Sequence, residues 1–167
     1  MSGNSLRILG IDPGLRCMGW GVIDVAGTRL SHVAHGVVKP DTKAALSVRL
    51  RCLFDGVTEV LKTYRPAEAA VEEAFMAKNA ASALKLGHAR AAALLAPAVL
   101  DIPVDEYPAR LVKKSVVGTG AADKDQIAAM IGVLLPGTRA KADAADALAI
   151  AICHAHHRPA RRMGSAA

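Results

Sequence analysis

The chain has 167 residues, enough for one domain with a sizeable core and too few for two domains of ordinary size. Apolar residues make up 52% of it, yet charge, Gly or Pro interrupts every apolar stretch before bilayer-spanning length, which argues against a transmembrane helix. Lys and Arg number 21 against 15 Asp and Glu, and the net charge of +6 suits a polyanionic partner such as nucleic acid, although many basic proteins bind none.

Leu6 to Asp12 is an apolar run closed by Pro13-Gly14, the pattern of a buried strand ending in a tight turn. Met18 to Val25 and Leu30 to Val38 read as two further strands joined by a hairpin at Ala26-Gly27-Thr28-Arg29. From Lys43 to Tyr64, apolar residues recur at three- and four-residue steps with charges between them, predicting an amphipathic helix stopped by Pro66. Glu68 to Phe75 reads as a fourth strand, Ala80 to Leu95 as an Ala- and Leu-rich helix ended near Pro97, and Ile102 to Tyr107 as a fifth strand. Two helices, Asp123 to Leu135 and about Ala142 to His157, close the chain. The order β-β-β-α-β-α-β-α-α predicts an α/β fold, a mixed five-stranded sheet flanked by helices, in a single domain over residues 1–157. Residues 158–167 are basic and small, and a flexible tail is expected there.

Cys17, Cys52 and Cys153 lie far apart without a C-x-x-C pair, a poor disulfide framework or zinc site, and are expected to be ordinary buried or half-buried thiols. Met1 to Ser5 carry neither a basic leader nor an A-x-A cleavage site, as expected of a cytosolic protein.

The chemistry rests on acids. Asp12 falls at the end of the first strand and Glu72 within the fourth, so the two converge if those strands are neighbours. Asp143 and Asp146, three apart at the start of the last helix, project from one face. Oxygen-only ligands suit hard cations such as Mg²⁺ or Mn²⁺, which also bind phosphate oxygens. Each acid has a plainer explanation: D-P-G is usually a turn, and Asp near a helix N-terminus is favoured by the helix dipole alone. An acid inside the apolar strand Ala70 to Phe75 is harder to dismiss, because a buried carboxylate is costly unless paired or metal-bound. Glu72 and Glu73 face opposite sides of that strand, and periodicity does not choose between them. His154, His156 and His157 crowd the last helix's end, where a solvated terminus is expected; His154 and His157 are also spaced for a metal, and a phosphate contact by His154 stays open.

Several ordered motifs then carry a resemblance. Gly10-Ile11-Asp12-Pro13-Gly14, Gly19-Trp20-Gly21 and Val71-Glu72-Glu73-Ala74-Phe75-Met76-Ala77-Lys78-Asn79 are followed by Ser82-Ala83-Leu84-Lys85-Leu86-Gly87, Val112-Lys113, Val116-Val117-Gly118 and Ala122-Asp123-Lys124. Asp143-Ala144-Ala145-Asp146-Ala147-Leu148-Ala149 completes the series, which resembles the RuvC family of Holliday-junction resolvases from Leu6 to His157. The resemblance implies an RNase H-like fold and a cytoplasmic, nucleoid-associated homodimer that nicks two strands of like polarity across a four-way DNA junction, leaving 5′-phosphate and 3′-hydroxyl ends. It maps the family's metal-binding catalytic acids onto Asp12, Glu72, Asp143 and Asp146, holding two Mg²⁺ or Mn²⁺ ions, and leaves Glu73 outside the set. It matches Lys113 and Lys124 to basic catalytic positions that hold phosphates, and Phe75 to an aromatic stacked at the opened crossover, with Lys78 and Lys85 as further DNA contacts. It also implies branch-migration helicase subunits as partners and a dimer contact around Ala80 to Leu95, for which packing within the chain is the competing explanation.

Three rivals differ in class. An actin-like ATPase or sugar kinase needs a second half and another phosphate loop. A catalytically idle junction binder is expected to have lost one of the acids. A related RNase H-like nuclease acting on structured RNA would lack the Phe75-to-Gly87 stretch and the final D-A-A-D-A-L-A, and is the most serious alternative.

Overall fold

The computed structural model describes residues 5–73 and 79–164, with side chains as far as Arg158. Five strands, β1 (Leu6–Asp12), β2 (Met18–Ala26), β3 (Arg29–Val38), β4 (Glu68–Glu73) and β5 (Val104–Pro108), form one sheet in the order β3-β2-β1-β4-β5. The first three run antiparallel as a meander, whereas β4 joins β1, and β5 joins β4, in parallel. The mixed five-stranded sheet expected from the pattern is therefore the one observed. The β1–β4 register pairs Ile11 with Val71, which brings Asp12 and Glu72 to adjacent strand ends.

Helices α1 (Leu46–Tyr64) and α2 (Ala80–Val99) cover one face; α3 (Ala109–Val117), α4 (Lys124–Leu134) and α5 (Ala142–Gly164) cover the other. Alternation along β4 sorts its side chains: Ala69 and Val71 join the core under α1 and α2, while Ala70 joins the core under α5. Glu68 and Glu72 share the Ala70 side, and Glu73 takes the opposite one. That settles which of the adjacent glutamates faces Asp12.

Two positions let α5 lie almost on the sheet. A Cβ added at Gly10 would overlap the Ala147 carbonyl, and one at Gly19 would overlap the Asp143 carbonyl, so only glycine permits this approach. Opposite them α5 presents Ala144, Ala147 and Ala151, all buried.

Three features depart from expectation. Helix α3 was not foreseen; Pro108 caps it, Val112 and Val116 bury its inner face, and Gly118 ends it in a left-handed conformation. Helix α2 runs through Pro97 to Val99, the proline standing in its last turn. Helix α5 continues beyond His157 to Gly164, and Arg158 there is tied to the Glu68 carboxylate by two hydrogen bonds rather than belonging to a loose tail. The alanine stripe of α2, Ala89, Ala92, Ala93 and Ala96, is buried in the core it shares with α1, whereas Leu84, Leu95 and Val99 stay exposed. Cys17 and Cys52 are half-buried and Cys153 is buried, all as free thiols.

Candidate active site

Three elements deliver carboxylates to one place. Asp12 ends β1, and Asp143 and Asp146 lie in the first turns of α5, with one oxygen from each within 4.8 Å of the others. The glycine seam is what makes this possible, since α5 begins directly over β2 and the end of β1. Glu72, at the end of β4, is outside that closest trio but lines the same cleft as Asp12 and Asp146. The cleft has a volume of about 500 Å³; Lys113 of α3 and Lys124 of α4 flank it, and Val112, Ile127 and Ala149 supply apolar walls.

The cations are fixed by local structure. Asp123 caps α4 by accepting from the Gln126 backbone N–H, while the Gln126 side chain accepts from the Asp123 N–H. The next residue, Lys124, brings its Nζ to 3.7 Å from Asp146 Oδ2 while remaining largely exposed. Lys113 projects from the unforeseen helix α3, so the V-K motif is a helical face and not a loop.

The acids crowd each other. Burial, then the negative charges of Glu72, Asp146 and Asp143, push the Asp12 carboxyl up to about 8, with Lys124 opposing only weakly. Burial also raises Glu72, helped by Asp146 and opposed by Lys113 and Lys124. Asp146 is raised by burial, with Lys124 pulling it back. Clustered, half-buried carboxylates without equal cationic compensation are the arrangement that a divalent cation relieves, and an all-oxygen donor set fits Mg²⁺ or Mn²⁺.

This has a signed consequence for stability. Asp12 titrates near 3.8 when free and near 8 when folded, so between these values the folded chain holds a proton that the unfolded chain has released. The metal-free protein should therefore lose stability as pH rises from about 4 to about 8. Thermal melts across that range should show this decline, and millimolar Mn²⁺, which binds the ionised acids, should raise the melting temperature most at the alkaline end.

Some residues fall elsewhere. Phe75 and Lys78 lie outside the described residues, and Lys85 is exposed on α2, outside the described lining of the cleft. His154, expected at a solvated helix end, is instead 1% exposed: its Nε2 lies 2.7 Å from Glu68 Oε2 and its Nδ1 2.9 Å from the Tyr107 hydroxyl. It offers neither a metal site with His157, whose Nδ1 bonds the Cys153 carbonyl, nor a surface for phosphate. Cys17, read from the sequence as an ordinary thiol, neighbours the site; burial and a hydrogen bond to Asp143 push it up to about 11. Only its position after the D-P-G turn hinted at that.

Comparison with known proteins agrees with this geometry. A family model described as Crossover junction endodeoxyribonuclease RuvC matches residues 8–154. The protein of that name from Maricaulis maris is 73% identical over 163 residues, covering 98% of each chain. The one from Caulobacter sp. is 61% identical over 158 residues, covering 94% of each. Among solved structures, Thermus thermophilus RuvC in complex with Holliday junction substrate superposes with a TM-score of 0.85 at 34% identity, covering 95% of this chain and 96% of that one. With its sheet order, its acidic cleft and matches that span almost its whole length, the chain belongs to the RuvC family of crossover junction endodeoxyribonucleases.

Proposed function

We propose that the protein resolves Holliday junctions by paired, metal-dependent nicking of two strands of like polarity, with Asp12, Glu72, Asp143 and Asp146 as its metal-binding acids. The observation that carries this reading is the convergence of Asp12, Asp143 and Asp146 within 4.8 Å, in a cleft shared with Glu72 and flanked by lysines. Asp12, Glu72, Asp143 and Asp146 would hold two Mg²⁺ or Mn²⁺ ions, which when bound would supply Lewis acidity for hydrolysis of the phosphodiester. The chain's own contribution is positional and electrostatic. The carboxylates orient the scissile phosphodiester by fixing where positive charge sits, and apolar walls at Val112 and Ile127 limit the water around it. Lys124 and Lys113 offset charge that builds on the non-bridging oxygens. The products carry 5′-phosphate and 3′-hydroxyl ends, which a ligase can join.

Two nicks placed symmetrically need two copies of the site, so the active form is a homodimer. Support comes from α1 and α2, where Leu50, Phe54, Ala92 and Leu95 line an apolar groove of about 360 Å³ and Leu84 and Val99 stand exposed nearby on α2. Phe75 and Lys78, between β4 and α2, and Lys85 on α2 serve the opened junction, and branch-migration helicase subunits supply it. The work is done on chromosomal DNA in the bacterial cytoplasm.

The test is cleavage of a synthetic mobile four-way DNA junction beside linear duplex, RNA–DNA hybrid and structured RNA, each with Mg²⁺, Mn²⁺ or EDTA. Paired, ligatable nicks confined to the junction and abolished by EDTA are expected. Preferential cutting of RNA or hybrid would keep the acids and overturn the substrate.

A further inference from the structure

The contact between α5 and the sheet is closest where small residues meet. Gly10 and Gly19 face Ala147 and the Asp143 backbone, and the Leu148 side chain seats over Gly21; this apolar packing sets how close the helix lies, but it is non-directional. Yet Asp143 and Asp146 meet Asp12 and Glu72 only at one axial position of α5. Directional contacts at the helix's other end supplement this packing.

At that end, His154 lies between β4 and β5. Its Nε2 donates to Glu68, whose carboxylate only accepts and also takes hydrogen bonds from Nε and Nη2 of Arg158. In the neutral tautomer this leaves Nδ1 to accept from the Tyr107 hydroxyl, with Asp105 Oδ2 at 3.7 Å. Glu68 is 3% exposed, and Tyr107 is fully buried. The register of β5 on β4 pairs Tyr107 with Glu72, so the tyrosine leans from the level of the catalytic acid toward the histidine.

The spacings match. Asp146 and His154 are separated by about 12 Å along the helix axis. Glu72 and Glu68 are separated by about 13 Å along the strand. Helix and strand run in opposite directions, so a clamp between His154 and Glu68 sets Asp146 beside Glu72.

We propose that Glu68, His154, Tyr107 and Arg158 form a register clamp, a set of positioning residues that fixes α5 along β4 and so holds the distant carboxylates at metal-binding separation. This rests on the assignment of those carboxylates as metal ligands. A buried ion pair of this kind is weak as a source of stability, whereas its directionality reinforces one alignment of the helix on the strand.

Three variants test it: Tyr107→Phe, which removes one hydroxyl and keeps the ring, Glu68→Gln and His154→Leu. Ile131→Val, a change on α4 in the same core that touches none of the clamp's polar groups, serves as a control for simple destabilisation. Direct Mn²⁺ binding would be followed by calorimetry below the melting temperature of each variant, beside junction binding in EDTA and single-turnover cleavage across a Mn²⁺ titration. Clamp variants should bind Mn²⁺ more weakly by about tenfold and need correspondingly more of it to cleave, with junction affinity in EDTA unchanged. Ile131→Val should melt earlier and bind Mn²⁺ as the unmodified chain does. Clamp variants that bind Mn²⁺ normally while Asp12→Asn does not would overturn the clamp and leave the metal site standing. Failure of the unmodified chain to bind Mn²⁺ would overturn both.

Discussion

Asp12→Asn and Asp146→Asn should each yield a folded protein that binds four-way DNA and does not cut it. Losing one carboxylate from a site where burial and mutual repulsion already oppose full ionisation removes both a ligand and the charge that makes the cleft attractive to a divalent cation. Metal-assisted charge stabilisation is worth several kcal/mol in a transition state, so cleavage should fall on the order of 10³-fold or more. Binding rests mainly on counterion release by basic side chains and has no need of these acids, so replacing one of them in a chain of net charge +6 leaves it intact. Metal-free Asp12→Asn should also melt higher by roughly 5 °C, because the amide occupies the same space without requiring a proton at neutral pH. Gel-shift binding in EDTA beside Mn²⁺-dependent nicking would check the separation. Simultaneous loss of binding and cleavage in a variant that still melts cooperatively would refute it.

The second large effect is predicted for residues with no side chain. Gly19→Ala places a methyl group against the Asp143 carbonyl, and Gly10→Ala does the same at Ala147. The nearest obstacles are backbone atoms of a helix, which do not swing aside, so α5 must lift. Overpacking of this kind costs about 1–3 kcal/mol and at times more. Lifting α5 at Asp143 also opens the carboxylate cluster, so cleavage should fall further than the loss of stability alone explains. By contrast, a Cβ at Gly87, within α2, meets nothing nearby, and Gly87→Ala should gain about 0.5–1 kcal/mol from helix propensity. Melting curves of the three variants beside their nicking rates would decide the matter; a well-folded, active Gly19→Ala protein would contradict the account of the seam.

Much of this was readable from residue order. The strand run Leu6 to Asp12, the meander that follows, and the apolar spacing between Leu46 and Leu61 specify their elements locally, because period and turn chemistry act within a few residues. Asp12, Asp143 and Asp146 could be named as candidates for the same reason. The choice between Glu72 and Glu73 could not be made that way, since it depends on which face of the sheet α5 covers. Helix α3 escaped because its nine residues carry only Val112 and Val116 as fully buried positions, too short a run for periodicity to register. The flanking Pro108 and Gly118 were its available signals. The burial of His154 is not legible in the sequence for a different reason: it depends on Glu68 and Tyr107, partners far away in the chain, and nothing local distinguishes it from a histidine at a frayed end.

The division of the site between the first strand and the last helix also bears on how the enzyme comes into being. During synthesis β1 and β4 leave the ribosome long before α5, so a growing chain holds Asp12 and Glu72 while Asp143 and Asp146 are still missing. The sheet face bearing Ile8, Ile23 and Ala70 lacks much of its cover until that helix arrives. Contacts so distant along the chain form late, because the loop they close is long. Nuclease activity is thus withheld until α5 has been made and has docked, and a chain lacking that helix exposes an apolar sheet face rather than an active site.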